Sequence, residues 1–222
     1  MSITLESVTQ LLQSADFGDR LRAVNQMRQL NPAQAFDLIQ TAATDSNGRV
    51  RYAAVSQIAG LGKQNLAQAA TILRDRLIHD SEPDVQAAAA DSLGALKITE
   101  AFEDIQRLYH HTSEWLLKFS IVAALGELGD RRSFPLLQSA LDSGNDLVQT
   151  AAIGSLGELG DPQAIPLLLS YVSHTDWQIR YRVAQALSHF HTPESQAALQ
   201  NLAQDAVQQV AQEAQTNLKT AS

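Results

Sequence analysis

The hexapeptide Leu-Gly-Glu-Leu-Gly-Asp is written twice in this chain. It stands inside ALGELGD at 124–130 and SLGELGD at 155–161, with the copies 31 residues apart. Recurrence at a fixed period between about 20 and 50 residues marks an array of small units. No such unit can bury its own apolar face, so each must stack on its neighbours.

The copies can be laid over one another on the apolar residues that open their second halves: Leu21, Val50, Val85, Leu117, Val148, Ile179 and Val210, at spacings of 29, 35, 32, 31, 31 and 31. From each anchor, apolar or small residues recur at +3, +4, +7, +8 and +11, which is one face of a helix of period 3.6. A second helix precedes each of these. DPQAIPLLLSYV at 161–172, NPAQAFDLIQ at 31–40 and TPESQAALQNL at 192–202 all set a capping side chain before a first-turn proline. Gly160 suits the left-handed position that ends a helix. Gly126 and Gly157, one turn earlier, leave room for a neighbouring helix to cross closely. The expected fold is all-α: a HEAT-like α-solenoid of about seven helical hairpins, each a helix A followed by a helix B. Residues 1–222 form a single repeat domain in this reading, with the first and last hairpins as caps.

Composition narrows the function. Lys and Arg total 16 against 24 Asp and Glu, a net charge of −8, which argues against nucleic acid as a partner. No apolar run approaches the roughly 20 residues of a membrane span, and the opening MSITLESVTQLLQS lacks the features of a secretory signal. A cytoplasmic location is expected. Cysteine is absent, which removes disulfides, thiolate metal sites and a cysteine nucleophile. The pairs His110–His111 and His189/His191 lack the i, i+4 spacing of a helical zinc site, so no metal is expected.

The informative residues lie away from the core stripe. In a chain with only 5% aromatics, Trp115 and Phe119 occupy −2 and +2 of the fourth copy, Trp177 and Tyr181 the same positions of the sixth, and Tyr52 takes +2 of the second. Two readings stand. The rings either pack on the adjacent B helix, or line one continuous groove that receives a flat ligand or a partner's helix. Cations run beside them at +1: Arg22, Arg51, Lys118 and Arg180. These either pair with carboxylates of neighbouring turns, such as Asp19, Asp84 and Asp146, or recognise an anion. Arg182 takes +3, where other copies carry small or apolar residues, and reads as an arginine at a buried edge. Glu127 and Glu158 recur with the joint motif, which points to structural use.

The joint LGELGD(P/R)xxxxPLL following (V/L)xxxAxxxLG resembles the short HEAT-like repeats of the phycobilin lyase E/F family of cyanobacteria. DFGDRLRAVNQMRQL, DSNGRVRYAAVSQI, TSEWLLKFSIVAALGELGD and DWQIRYRVAQAL extend the likeness along the whole chain, most closely to the branch that acts in phycobilisome degradation. The lyases of that family attach or remove linear tetrapyrroles (bilins) on phycobiliprotein cysteines, commonly as two-subunit enzymes. The resemblance implies phycobiliprotein subunits, phycocyanin or allophycocyanin, as partners, together with another degradation factor, at phycobilisomes on the thylakoid surface. It implies a bilin-handling or phycobiliprotein-binding groove on the B helices, whose candidate residues include Tyr52 and Arg182; a bilin plane is expected against Trp115, Phe119, Trp177 or Tyr181, and its propionates at Arg51, Lys118 or Arg180. Without a cysteine, any bilin is a non-covalent ligand or substrate and not a resident cofactor. Two function classes follow: a lyase-like enzyme that detaches bilin, with His110 or His111 nearest by sequence for proton transfer, or a non-catalytic adaptor that docks phycobiliprotein.

Overall fold

The computed structural model of the protein describes residues 3–220. Among the described residues there are no strands, and the α-helices follow one another in pairs. The hairpins are α1 (Leu5–Leu12) with α2 (Phe17–Gln26), α3 (Pro32–Ala42) with α4 (Gly48–Leu61), α5 (Leu66–His79) with α6 (Pro83–Ala95), α7 (Phe102–His111) with α8 (Trp115–Leu128), α9 (Phe134–Ala140) with α10 (Asp146–Leu159), α11 (Ala164–Leu169) with α12 (Trp177–Leu187), and α13 (Pro193–Leu202) with α14 (Gln208–Thr220). The even-numbered helices are the B helices. The chain is thus the all-α, HEAT-like hairpin array that its period predicts.

Local chemistry starts these helices where the sequence places its caps. Asn31 accepts from the Ala33 amide and Thr192 from that of Ser195, each directly before a proline at the first helical position. A side-chain oxygen here satisfies one of the amides that a helix start leaves unpaired, worth about 1 kcal/mol. At 161–172 the helix is shorter than expected. Asp161 accepts from the Gln163 amide, a turn follows, and α11 runs only over 164–169. Pro162 therefore lies in the turn and not in the helix.

Each B helix from α4 onward begins two residues before its anchor, and Val50, Val85, Leu117, Val148, Ile179 and Val210 are all buried. Leu21 is the exception, being only half-buried. By the same rule α2, which begins at Phe17, has its register position at Asp19, so the first spacing is 31 and not 29. Ala23, Val24 and Met27 then match Ala54, Val55 and Ile58, and all six are buried. The shift has a physical cause: α2 is the first B helix, and its register position carries an acid, Asp19, instead of a core residue.

The chain forms two compact units, Met1–Ala124 and Leu125–Ser222, with the division inside α8. One joint recurs within both. A Cβ added at Gly94 would lie 2.7 Å from the Ala124 carbonyl oxygen, one at Gly126 2.7 Å from Ser155 Cα, and one at Gly157 2.6 Å from Ala186 Cα. In each case position +9 of one B helix touches +7 of the next. From that same +7, side chains donate back to the +5 carbonyl of the preceding B helix: Gln57 to Val24 at 2.9 Å, Ser92 to Val55 at 2.9 Å and Asn217 to Ala184 at 3.3 Å. Backbone-close crossing is thus paired with a hydrogen bond that sets the register of the stack.

Gly129 and Gly160 end their helices at φ +70° and +67°, the left-handed region that glycine enters freely. Lys97 fills the same slot after α6 at φ 54°, where a side chain costs about 1–2 kcal/mol. Lys97→Gly should raise stability by up to about 1 kcal/mol, once the greater unfolded-state freedom of glycine is set against the relief. Urea unfolding measures it, and an unchanged or lower midpoint would contradict it.

Candidate functional site

The cations at +1 divide into two kinds. Arg51 donates through Nε and Nη2 to both oxygens of Asp80, at 2.8 Å each, and through Nη1 to the Asp45 and Ser46 carbonyls. Arg180 does the same with Asp205 and the His174 and Thr175 carbonyls, and Arg20 with Asp45 and the Ser14 and Ala15 carbonyls. Each guanidinium fork joins its own hairpin to the next one. The acceptor always stands at −5 of the following copy, where it also caps the amide at −3: Asn47 for Asp45, Glu82 for Asp80 and Val207 for Asp205. Where +1 is not arginine, −5 of the next copy is not aspartate: Gln86 with Thr112, Lys118 with Ser143, Gln149 with His174.

The pairing partners therefore differ from the expected Asp84 and Asp146, although Arg22 does meet Asp19 at 3.2 Å. Arg20, not Arg22, is the true +1 residue of the first copy. The guanidinium groups of Arg51 and Arg180 are committed to these clasps. Lys118 is half-buried with its Nζ 5.4 Å from the centre of the Tyr109 ring. Arg182 is exposed, not at a buried edge; it donates to Gln185 at 3.0 Å, and its stem passes the bare face of Gly154.

Within the first unit the B helices enclose an open groove of about 690 Å³. Its walls are Phe17 of α2, Tyr52 of α4 and Leu116 of α8, whose exposures of 42%, 48% and 47% are high for apolar bodies of this size. Its floor is α6, where Ala87 and Ala88 lie between Asp84 and Asp91. The trough exists because α6 carries Ala87 at +2, where α4 carries Tyr52, while Leu116 of α8 stands on the other side. Glu82, Asp84, Asp91 and Arg49 supply its charged lining, with Asn47 and Ser120 beside them.

Of the aromatic residues singled out in the sequence, Tyr52 lines this groove. Trp115 is exposed and Phe119 half-buried on α8, but neither lines it. Both lie about 100° round the helix from Leu116 and Ser120, which do. In the second unit, Trp177 is exposed at the start of α12. Tyr181 is half-buried, and a hydrogen bond to Glu213, together with burial, pushes its hydroxyl above the usual tyrosine range. Glu158, Glu127 and His189 share position +10; burial first, then the Glu127 charge, push the Glu158 carboxyl up against the opposing pull of His189 and Arg182. The groove lining contains no histidine: His110 and His111 end α7, with His111 Nδ1 2.7 Å from the Arg107 carbonyl. Among the described residues, no cluster of His, Asp and Glu could hold a metal ion, and no helix is long and apolar enough to cross a membrane.

Sequence reasoning missed Phe17, Leu116, Asp84 and Asp91 as groove residues. A signal for Phe17 was present. DFGDRLR at 16–22 and DWQIRYR at 176–182 align without a gap on their shared Asp, Arg and Arg, setting Phe17 against Trp177, Arg20 against Arg180 and Arg22 against Arg182. Leu116 and the acids needed the tertiary structure, since α6 and α8 turn their −1 and +3 positions to the groove.

The chain matches the HEAT-repeat family over residues 5–93, 70–154 and 135–219. No curated protein matches it by sequence. A chain from the complex of CpcE and CpcF of the phycocyanin lyase of Nostoc sp. PCC7120 superimposes with a TM-score of 0.66 at 21% identity, over 100% of this chain and 96% of that one. Escherichia coli YibA gives 0.63 at 15% identity, over 97% and 82%. A HEAT-like repeat protein of the archaeon Thermococcus onnurineus NA1 gives 0.60 at 13% identity, over 100% and 98%. At these identities the likeness is one of fold.

Proposed function

Because the chain belongs to the HEAT-repeat family, we propose that it is a binding protein of phycobilisome turnover, docking phycobiliprotein subunits on the B-helix groove of its first unit. The observation that carries this reading is the groove itself: Phe17, Tyr52 and Leu116 hold apolar surface in water around a trough wide enough for a partner's side chains. Exposed apolar surface of this kind marks an interaction site. The partner class rests on the sequence motifs shared with the phycobilin lyase E/F family, and on the likeness of fold to a chain of a phycocyanin lyase complex. Within that family the motifs resemble the phycobilisome-degradation protein NblB, so we read the role as breakdown and not assembly. The groove offers carboxylates, Arg49 and Tyr52, which suits docking better than proton transfer near neutrality.

Purified phycocyanin and allophycocyanin, each mixed with the protein and passed over a sizing column, test this. Co-elution is expected with one or both. The double substitution Tyr52→Ala and Leu116→Ala should weaken the complex at least tenfold while the helical circular dichroism stays unchanged. Absence of a complex with either phycobiliprotein overturns the proposal. A second reading, detachment of the bilin, is favoured by Trp115 and Trp177, two exposed rings at −2 of their repeats. A conjugated tetrapyrrole plane recovers apolar area against such rings. Loss or shift of the visible absorbance of phycocyanin on mixing would support it, and spectra unchanged at saturating complex would oppose it.

A further inference from the structure

We propose that the partner docked in the first-unit groove is anchored by one long basic side chain, lysine or arginine, which enters a side pocket between the starts of α6 and α8. This rests on the reading of the groove as a protein-docking site, and it names the residue type that the site selects.

Three observations lead there. The first is a cavity. Beside the groove lies a second hollow of about 180 Å³, lined by Pro83, Asp84, Ala87, Glu114, Leu116 and Leu117. Small-molecule sites commonly hold about 300–1,000 Å³, so this one suits a single side chain and not a tetrapyrrole. Asp84, Ala87 and Leu116 line both hollows, whereas Glu114, Pro83 and Leu117 line only the smaller. A segment lying in the groove therefore reaches the pocket over Ala87 and Leu116.

The second is how that lining divides. Pro83, Ala87, Leu116 and Leu117 are apolar, and the remaining two residues are exposed carboxylates. Methylenes suit the first group and a cation the second. Lysine and arginine carry both on one stem, and they cover apolar surface with the stem while the charged head keeps its water. An apolar side chain would leave the carboxylates unanswered, and an acidic one would meet like charge.

The third is that the chain itself does not answer them. Among the described residues, neither the Asp84 nor the Glu114 side chain has an ion-pair partner. Lys118 stands four residues after Glu114, the spacing of a helical ion pair, but its Nζ lies 5.4 Å from the centre of the Tyr109 ring. Arg49 lines the groove and not this pocket, and Arg51 is held by Asp80. An acid at a helix start favours the helix itself, which accounts for the charges but not for the apolar hollow they share. A basic side chain is steered to such a pair and completes it.

The test uses the full chain and four capped tripeptides, each with leucine on either side of a varied middle residue. Backbone amide chemical shifts of the protein read binding. The middle residue is lysine, arginine, norleucine or 2,4-diaminobutyrate. Norleucine keeps the stem without the charge, and diaminobutyrate keeps the charge on a stem two methylenes shorter than that of lysine. The lysine and arginine peptides are expected to bind at least tenfold tighter than the other two, and to weaken as salt rises. Their largest shifts should fall at Asp84, Ala87, Glu114 and Leu116. Asp84→Asn with Glu114→Gln should remove the preference and weaken the phycocyanin complex at least tenfold. Both residues are exposed, so the helical spectrum should hold. Lysine binding no tighter than norleucine or diaminobutyrate overturns the inference, as does a phycocyanin complex that the folded double variant leaves unchanged. If phycocyanin binds and none of the peptides does, the pocket inference falls and the docking function stands. If the basic peptides bind as described and phycocyanin does not, the pocket stands and the phycobiliprotein assignment falls.

Discussion

Replacing Asp80 by alanine is expected to destabilise the protein by about 3–5 kcal/mol, because it leaves the Arg51 guanidinium inside the hairpin joint without its counter-charge. The Asp80 side chain is wholly buried and that of Arg51 is 11% exposed; Arg76 is a second partner at 3.2 Å. The loss also uncovers the Glu82 amide, which Asp80 caps at 3.0 Å. The protein carries its own remedy at the next joint. There Gln86 stands in place of the arginine and donates to the Leu77 carbonyl at 3.0 Å, while Thr112 stands in place of the aspartate and caps Glu114 at 3.1 Å. Arg51→Gln combined with Asp80→Thr should therefore recover at least half of the loss. Guanidinium unfolding of the wild type, the single variants and the double variant measures it. A single Asp80→Ala variant within about 1 kcal/mol of wild type would mean that the clasp carries no net stability.

The same joint sets a pH dependence. Burial alone would raise the Asp80 carboxyl, but the Arg51 hydrogen bonds, the Glu82 amide and the Arg51 and Arg76 charges outweigh it and hold it below the usual carboxylate range. Asp45 follows the same balance with Arg20, and in Asp205 the Arg180 bond leads. A carboxyl depressed in the folded state contributes stability that is present above its unfolded value, near pH 4, and is lost as pH falls through the folded value. The thermal midpoint should hold from neutrality down to about pH 5, then fall below about pH 4. In Asp80→Asn that acid limb should be shallower.

The second large effect is expected at Gly157. An alanine Cβ there would lie 2.6 Å from Ala186 Cα, 2.8 Å from its Cβ and 2.9 Å from its carbonyl oxygen. Backbone cannot rotate away as a side chain can, so α10 and α12 must separate. Gly157→Ala should cost about 1–3 kcal/mol, and Gly157→Leu more. Gly60 is the control. It lies in α4 with nothing within 4 Å of an added Cβ, so Gly60→Ala should stabilise by about 0.5–1 kcal/mol through helix propensity. Calorimetry on the two alanine variants tests the pair. Shifts of the same sign would show that these glycines are not separated by the close helix crossing.

Much of the architecture was legible as letters. The 31-residue period, the capping side chains and the apolar stripe are local or periodic properties, and they fix helices, hairpins and core anchors without knowledge of the partners. Gly157 and Gly126 could be assigned to a close crossing for the same reason: they recur at one register position. Leu21 went wrong because the first B helix carries Asp19 where its successors carry Val50 or Val85, so the apolar pattern alone slid the register by two. The arginines could be assigned to a file but not to their partners. The acceptor of Arg51 lies 29 residues on and that of Arg180 lies 25 on, and only the stacking of hairpins brings a −5 side chain within reach of the preceding +1. By itself the sequence determined that this is an all-helical repeat protein, with its joints and its caps. The tertiary structure decided which cations are committed to clasps, which sides of α6 and α8 face the groove, and that alanines on α6 leave an acidic trough between Tyr52 and Leu116. Those outcomes depend on how neighbouring helices are rotated against one another, and that rotation is set by long-range packing that no single repeat contains.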